Sequence, residues 1–208
     1  MSDIGRHVGL RVRTAKLAAA ADALKRESRV KAPFSLAFLT DRRRIANPEP
    51  ILRVMPPGSA VIYRDYDDPK RQATAARYRA ICRARGLLFL VAGDVALAAA
   101  VDADGLHRPS RDLAAPPAGW SGLVTAACHD LPDLQRAAIS GAALAFLSPV
   151  FPTESHPERA HLGAERFRAL AAASPLPVIA LGGVDENNAR AVAGANIAGL
   201  AAIGAFAA

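Results

Sequence analysis

The stretch Val178-Ile-Ala-Leu-Gly-Gly-Val-Asp185, followed by Ile197-Ala-Gly-Leu-Ala-Ala-Ile-Gly204, carries the reading of the fold. Each half is a short apolar run that ends in glycine, the pattern of a strand buried on both faces and stopped by a turn. The same unit recurs upstream. Phe34–Leu39, Ala60–Tyr63, Leu87–Val91, Asp104–His107, Leu123–Ala127 and Leu144–Leu147 are further strand candidates, which makes eight with Val178–Leu181 and Ile197–Ile203. Between them, residues 69–85, 131–140, 163–173 and 185–194 carry apolar stripes at helical spacing, flanked by Gly86, Gly141, Pro175 and Gly194. Strand then helix, repeated, predicts parallel pairing with right-handed crossovers. Eight strands, with no GxGxxG after the first, favour a closed (β/α)8 TIM barrel over an open doubly wound sheet.

Residues 10–28 read as an additional helix, with Leu10, Leu17, Ala20, Ala21 and Leu24 on one stripe before Ala32-Pro33 ends it. The division expected is a basic helical extension over 1–33 and a barrel over 34–208. Only five residues follow Ile203, so the N-terminal helix is expected to cover what an eighth helix would cover. Residues 1–33 hold eight basic side chains against three acidic ones, most of the chain's net charge of +7. Solvated helix charge accounts for this better than a nucleic-acid surface, because no aromatic ring lies among these charges to stack on bases. No run approaches the length of a membrane helix and no secretory leader is evident. Two cysteines without CxxC spacing read as reduced thiols of a cytoplasmic protein, and homodimerisation is left open. Aromatics make up only 5% of the chain, which predicts a core of Ala, Leu, Val and Ile rather than of rings.

In a barrel of this kind the chemistry sits at the C-terminal strand ends. Arg64, His107, His129, Thr153 and Gly182-Gly183 all fall there, and Gly204 follows the eighth strand. Glycines let backbone N–H groups approach an anion, and Asp185 is expected to open a helix whose start adds positive potential. A phosphate is therefore expected on Gly182, Gly183 and Gly204, with hydroxyls of Thr153 and Ser155 beside it. His129 is the candidate acid/base, since imidazole titrates near neutrality. Cys128 is not its partner, because adjacent strand residues face opposite sides. Zinc hydrolysis by His107, Asp112, His129 and His156 lacks ligand spacing to support it.

The run Phe146-Leu-Ser-Pro-Val-Phe-Pro-Thr-Glu-Ser155, then Gly163, Pro177-Val-Ile-Ala-Leu-Gly-Gly183 and Gly199-Leu-Ala-Ala-Ile203, resembles the thiamine phosphate synthase and thiazole tautomerase superfamily. Leu39-Thr-Asp41, Ala103-Asp-Gly-Leu-His107 and Asp112 fit the same pattern, and the likeness runs from about residue 34 to the end. The resemblance implies a phosphorylated thiazole or related small molecule as ligand. It implies Mg²⁺ if the chain joins that thiazole to a pyrimidine pyrophosphate, and no cofactor if it only moves a proton. Where the family carries Gln-Leu-Arg-Glu-Lys, Asn-Asp and Thr-x-Thr-Lys, this chain reads Ile62-Tyr-Arg-Asp-Tyr66, Ala92-Gly93 and Thr153-Glu-Ser-His156. Arg64 is kept, but two lysines and a metal carboxylate are gone, with Asp94 and Asp112 left as candidate metal ligands. Departure of pyrophosphate needs its charge compensated. The erosion therefore points to tautomerase-like proton transfer by His129, with a divergent synthase or a non-catalytic phosphate binder as the alternatives.

Overall fold

The computed structural model describes residues 3–153 and 160–206, with side chains from residue 8 onward. Eight parallel strands close into a barrel in sequence order: β1 (Leu36–Leu39), β2 (Ala60–Tyr63), β3 (Leu88–Ala92), β4 (Gly105–Arg108), β5 (Leu123–Cys128), β6 (Leu144–Leu147), β7 (Val178–Leu181) and β8 (Ile197–Ala202). The last strand pairs back onto the first, Leu36 with Leu200 and Phe38 with Ala202. Strand alternation divides the apolar residues into two cores. Ala37, Leu39, Ala60, Ile62, Leu90, Ala92, Phe146 and Ile179 fill the barrel, while Phe38, Val61, Tyr63, Phe89, Val91 and Cys128 face the helices. Both sets are buried, which is why each strand reads as an unbroken apolar run.

The core is mainly Ala, Leu, Val and Ile, as expected, but it is not without rings. Tyr63, Phe34, Phe38, Phe89, Phe146 and Phe167 are the largest wholly buried groups. Aromatic residues are few, but the chain concentrates them where the barrel wall meets helices: Tyr63 meets Tyr78 edge-on at 5.8 Å, and Phe38 meets Phe206 at 5.2 Å.

Helices α1 (Asp3–Ser28), α2 (Glu49–Val54), α3 (Arg71–Arg85), α4 (Val95–Ala100), α5 (Leu131–Ile139) and α6 (Gly163–Ala173) surround the sheet. α1 packs on β8 through buried Leu17, Ala21 and Leu24, and the Ser28 hydroxyl donates to the Ile197 carbonyl at 2.6 Å. It thus takes the place of an eighth outer helix, covering a strand face in a barrel that has no open edge. The helix expected over 185–194 is not formed. The Asp185 carboxylate accepts from Asn187 and Asn188 N–H, the Asn188 side-chain Oδ1 accepts from Asp185 N–H, and only a 3-10 turn over Ala189–Val192 follows. Side chains that bond their own backbone compete with helix initiation, and here they win. No helix among the described residues is long and apolar enough to cross a membrane.

Candidate functional site

A cavity of about 690 Å³ opens at the C-terminal ends of β1, β2 and β5–β8. His129, Arg64, Thr153, Gly182, Gly183 and Gly204 all line it, so the structure brings together six of the residues singled out in the sequence. Ser155 and His156 lie outside the described residues.

The β6–α6 loop forms one wall. It continues the pairing with β7 past the strand: Val150 N–H donates to the Leu181 carbonyl at 3.0 Å and Phe151 N–H to the Gly182 carbonyl at 2.9 Å. This contact explains the two glycines more directly than ligand approach does. Gly183 has φ +67°, and a Cβ built there would stand 2.6 Å from the Pro152 carbonyl oxygen and 2.8 Å from Phe151 Cβ. The glycines let the loop lie on β7, and the loop in turn delivers Thr153 to the cavity. No helix opens at Asp185, so the expected helix start with its positive potential is absent from this wall of the cavity.

His129 follows β5 and is exposed to the cavity. Its backbone N–H donates to the Asp133 carboxylate at 2.9 Å, while Asp133 is itself fixed by the Asp130 cap of α5 and by Arg136. The ring Nδ1 lies 2.7 Å from the Ser148 carbonyl oxygen. A carbonyl only accepts, so Nδ1 carries the hydrogen and the neutral ring keeps its lone pair on Nε2. That arrangement suits a general base.

His107, in contrast, does not open onto the mouth. It points into the barrel, with Nδ1 2.9 Å from Thr125 Oγ1 and its ring edge-on to Phe146 at 5.0 Å. Burial, aided by the nearby Arg64 charge, pushes its pKa down to about 3, so it is a neutral interior group. Cys128 faces the helical layer, away from His129.

Two cavity residues escaped the sequence reading. Arg13 comes from α1, one turn before Leu17 on the barrel-facing stripe, and that spacing was the available signal. Arg44, after β1, places its guanidinium 2.5 Å from where a Gly204 Cβ would stand, a through-space pairing with no local signature.

The candidate metal ligands are not gathered. Asp94 caps α4, accepting from Leu97 N–H at 2.9 Å, and its other oxygen meets Arg71 at 3.2 Å. Asp112 sits in a 3-10 turn over Ser110–Asp112, its carboxylate 3.8 Å from Arg111 Nε. Among the described residues no group of three or more His, Cys, Asp or Glu side chains could hold a metal ion.

Comparison with known proteins gives the family. Residues 36–206 match the family model of thiamine monophosphate synthase. The thiamine-phosphate synthase of Chromobacterium violaceum is 37% identical over 152 residues, covering 70% of this chain and 73% of that protein. That of Thermosynechococcus vestitus is 34% identical over 138 residues, 64% of this chain but 39% of the longer relative. In fold, the chain superposes on thiamine phosphate pyrophosphorylase from Pyrococcus furiosus with a TM-score of 0.64 at 24% identity, covering 88% of this chain and 90% of that one. Since the matched region takes in all eight strands and most of the cavity wall, the chain belongs to the thiamine monophosphate synthase family.

Proposed function

We propose that the cavity holds a phosphorylated thiazole by its phosphate at the ends of β7 and β8, and that the chain couples this thiazole to a pyrimidine pyrophosphate. The observation that carries the reading is the shared cavity: Gly182, Gly183, Thr153 and Gly204 meet His129 and Arg64 in one space. The relatives support coupling better than tautomerisation, since those compared are thiamine-phosphate synthases. In coupling, the thiazole nitrogen forms a bond to the pyrimidine's methylene carbon as the carbon–oxygen bond to pyrophosphate breaks, and pyrophosphate leaves with that electron pair. The chain's own contribution is to anchor the thiazole phosphate and offset the charge of the leaving group. The test is direct. Purified protein supplied with both substrates should release thiamine phosphate and pyrophosphate in equal amounts, read by chromatography; thiazole phosphate that binds without product would remove the coupling reading.

Proton transfer on the bound thiazole is the second reading, and the tautomer of His129 favours it. With Nδ1–H committed to the Ser148 carbonyl, Nε2 is the only ring atom left to take and return a proton. Isomerisation followed by NMR should then persist in Arg64→Gln and vanish in His129→Gln. Persistence in His129→Gln would exclude this role.

A further inference from the structure

The mouth beside β2, β3 and β4 departs from what a magnesium site asks of its residues. Mg²⁺ is held by oxygen ligands in near-octahedral array, commonly with one or two carboxylates. At the end of β3, Gly93 offers no side chain, and the Tyr66 ring lies over it, with Cε1 3.2 Å from where a Cβ would stand. Both oxygens of Asp94 are committed, one to the α4 cap and one to Arg71. Arg71 cannot readily release it, since Nη2 also donates to the Ala92 carbonyl at 2.8 Å and the guanidinium lies 5.3 Å from the Tyr66 ring centre. Asp65 already accepts from Arg42 N–H, and Asp68 from the Tyr63 hydroxyl and Lys70 N–H. That leaves Asp112 beside Arg111 without a second uncommitted carboxylate, and among the described residues no group of three or more His, Cys, Asp or Glu side chains could hold the metal.

What this corner does offer is cationic and aromatic. Tyr66 is half exposed. Burial raises the Tyr66 pKa; Arg64, Arg111 and Arg71 lie close enough to oppose that rise, and Asp112 adds to it. Arg64 also lines the main cavity, so the corner is continuous with the thiazole end. The acidic partners of Arg64 and Arg111 sit at 3.3 and 3.8 Å, and such partly exposed pairs contribute little. Each guanidinium can exchange its partner for a ligand oxygen and present two parallel N–H donors to it.

We propose that the ends of β2–β4 form a metal-independent anion subsite, in which Arg64 and Arg111 beside the exposed Tyr66 ring take a pyrophosphate-type group in place of a divalent cation. The identity of the anion rests on the coupling reading; the exclusion of the metal does not. The test is calorimetric titration of the intact protein with inorganic pyrophosphate, in EDTA and in Mg²⁺, with thiazole phosphate titrated in parallel. Binding of Mn²⁺ is followed by electron paramagnetic resonance in the presence of pyrophosphate.

Pyrophosphate should bind in EDTA, Arg64→Gln and Arg111→Gln should each weaken it about tenfold or more, and Mn²⁺ should show no stoichiometric protein site. Arg64→Lys, which keeps the charge but loses the fork, should recover only part of the affinity. Pyrophosphate binding that requires Mg²⁺, or a Mn²⁺ site abolished by Asp112→Asn, would overturn the proposal. So would the absence of pyrophosphate binding in either condition. Failure of thiazole phosphate to bind, with pyrophosphate behaving as expected, would instead count against the coupling reading and leave this subsite standing.

Discussion

Replacing Gly183 with alanine separates two roles of the same position. The new Cβ would stand 2.6 Å from the Pro152 carbonyl oxygen and 2.8 Å from Phe151 Cβ, and no rotamer change relieves either overlap. A non-glycine residue in the left-handed region costs about 1–2 kcal/mol. Overpacking adds about 1–3 kcal/mol, so the total is roughly 2–5 kcal/mol. At about 2–4 °C per kcal/mol for a chain of this size, Tm should fall by roughly 4–20 °C. Gly58→Ala is the matched control, since Gly58 has φ +81° but nothing within 4 Å of the added atom. It should bear the backbone cost alone and leave ligand affinity unchanged. Differential scanning calorimetry measures the first quantity, and titration with thiazole phosphate the second. Relief of the overlap moves Pro152 and with it Thr153, so Gly183→Ala should also bind the ligand about tenfold or more weakly, the loss expected when a hydrogen bond to a charged group is removed. Equal Tm losses in the two variants, or unchanged affinity in Gly183→Ala, would refute the packing argument.

The buried His107 makes the fold acid-sensitive. Its folded pKa of about 3 lies below the ordinary value of 6.5, so between these values the unfolded chain binds a proton that the folded one does not. Stability should fall by up to about 1.4 kcal/mol per pH unit below pH 6.5 from this group, and urea unfolding of His107→Leu should show a correspondingly shallower loss. A slope identical to that of the wild type would exclude the effect. Cys82 and Cys128 are buried, and burial pushes both thiols up to about 12, so a disulfide reagent at pH 8 should titrate neither until denaturant is added. Rapid labelling of the native protein would contradict this. Asn196, at φ 64°, aims its side-chain amide at the Ala171, Ser174 and Leu176 carbonyls, tying the end of α6 to the start of β8. Asn196→Ala should cost about 2–4 kcal/mol through carbonyls left without partners. Asn196→Gly, which relieves only the backbone strain, should recover about 1 kcal/mol of this in chemical denaturation; full recovery would place the whole cost in the backbone.

The strands were legible because parallel strands covered on both sides must be short and apolar throughout, and Val178–Leu181 or Leu144–Leu147 allow little else. The glycines after β7 were legible as a special position for a related reason, since glycine directly after a buried strand marks a backbone conformation or close approach that a side chain would obstruct. What stayed hidden depends on partners distant in sequence or on local competition. Nothing around Tyr66 announces that its ring will rest on Gly93, and nothing near Gly204 points to Arg44. The missing helix after β7 follows from Asp185 and Asn188 bonding each other's backbone, a contest that apolar spacing does not register. His107 was within reach of strand alternation. Leu106 faces the helices, so the next residue had to face inward.

The contact of α1 with β8 also orders the events of folding. Ser28 and Ile197 are 169 residues apart, yet the hydroxyl of one meets the carbonyl of the other. A helix translated before any strand therefore has its apolar stripe of Leu17, Ala21 and Leu24 in water until the last strand leaves the ribosome. Contacts of such separation form late, because the long loop must close before they are rewarded. For that interval the net positive charge along α1, six basic against three acidic side chains, favours keeping the nascent helix solvated and apart from its neighbours. The charge that reads in the sequence as solvated helix charge thus has a use during synthesis, on the helix whose apolar face is the last to be covered.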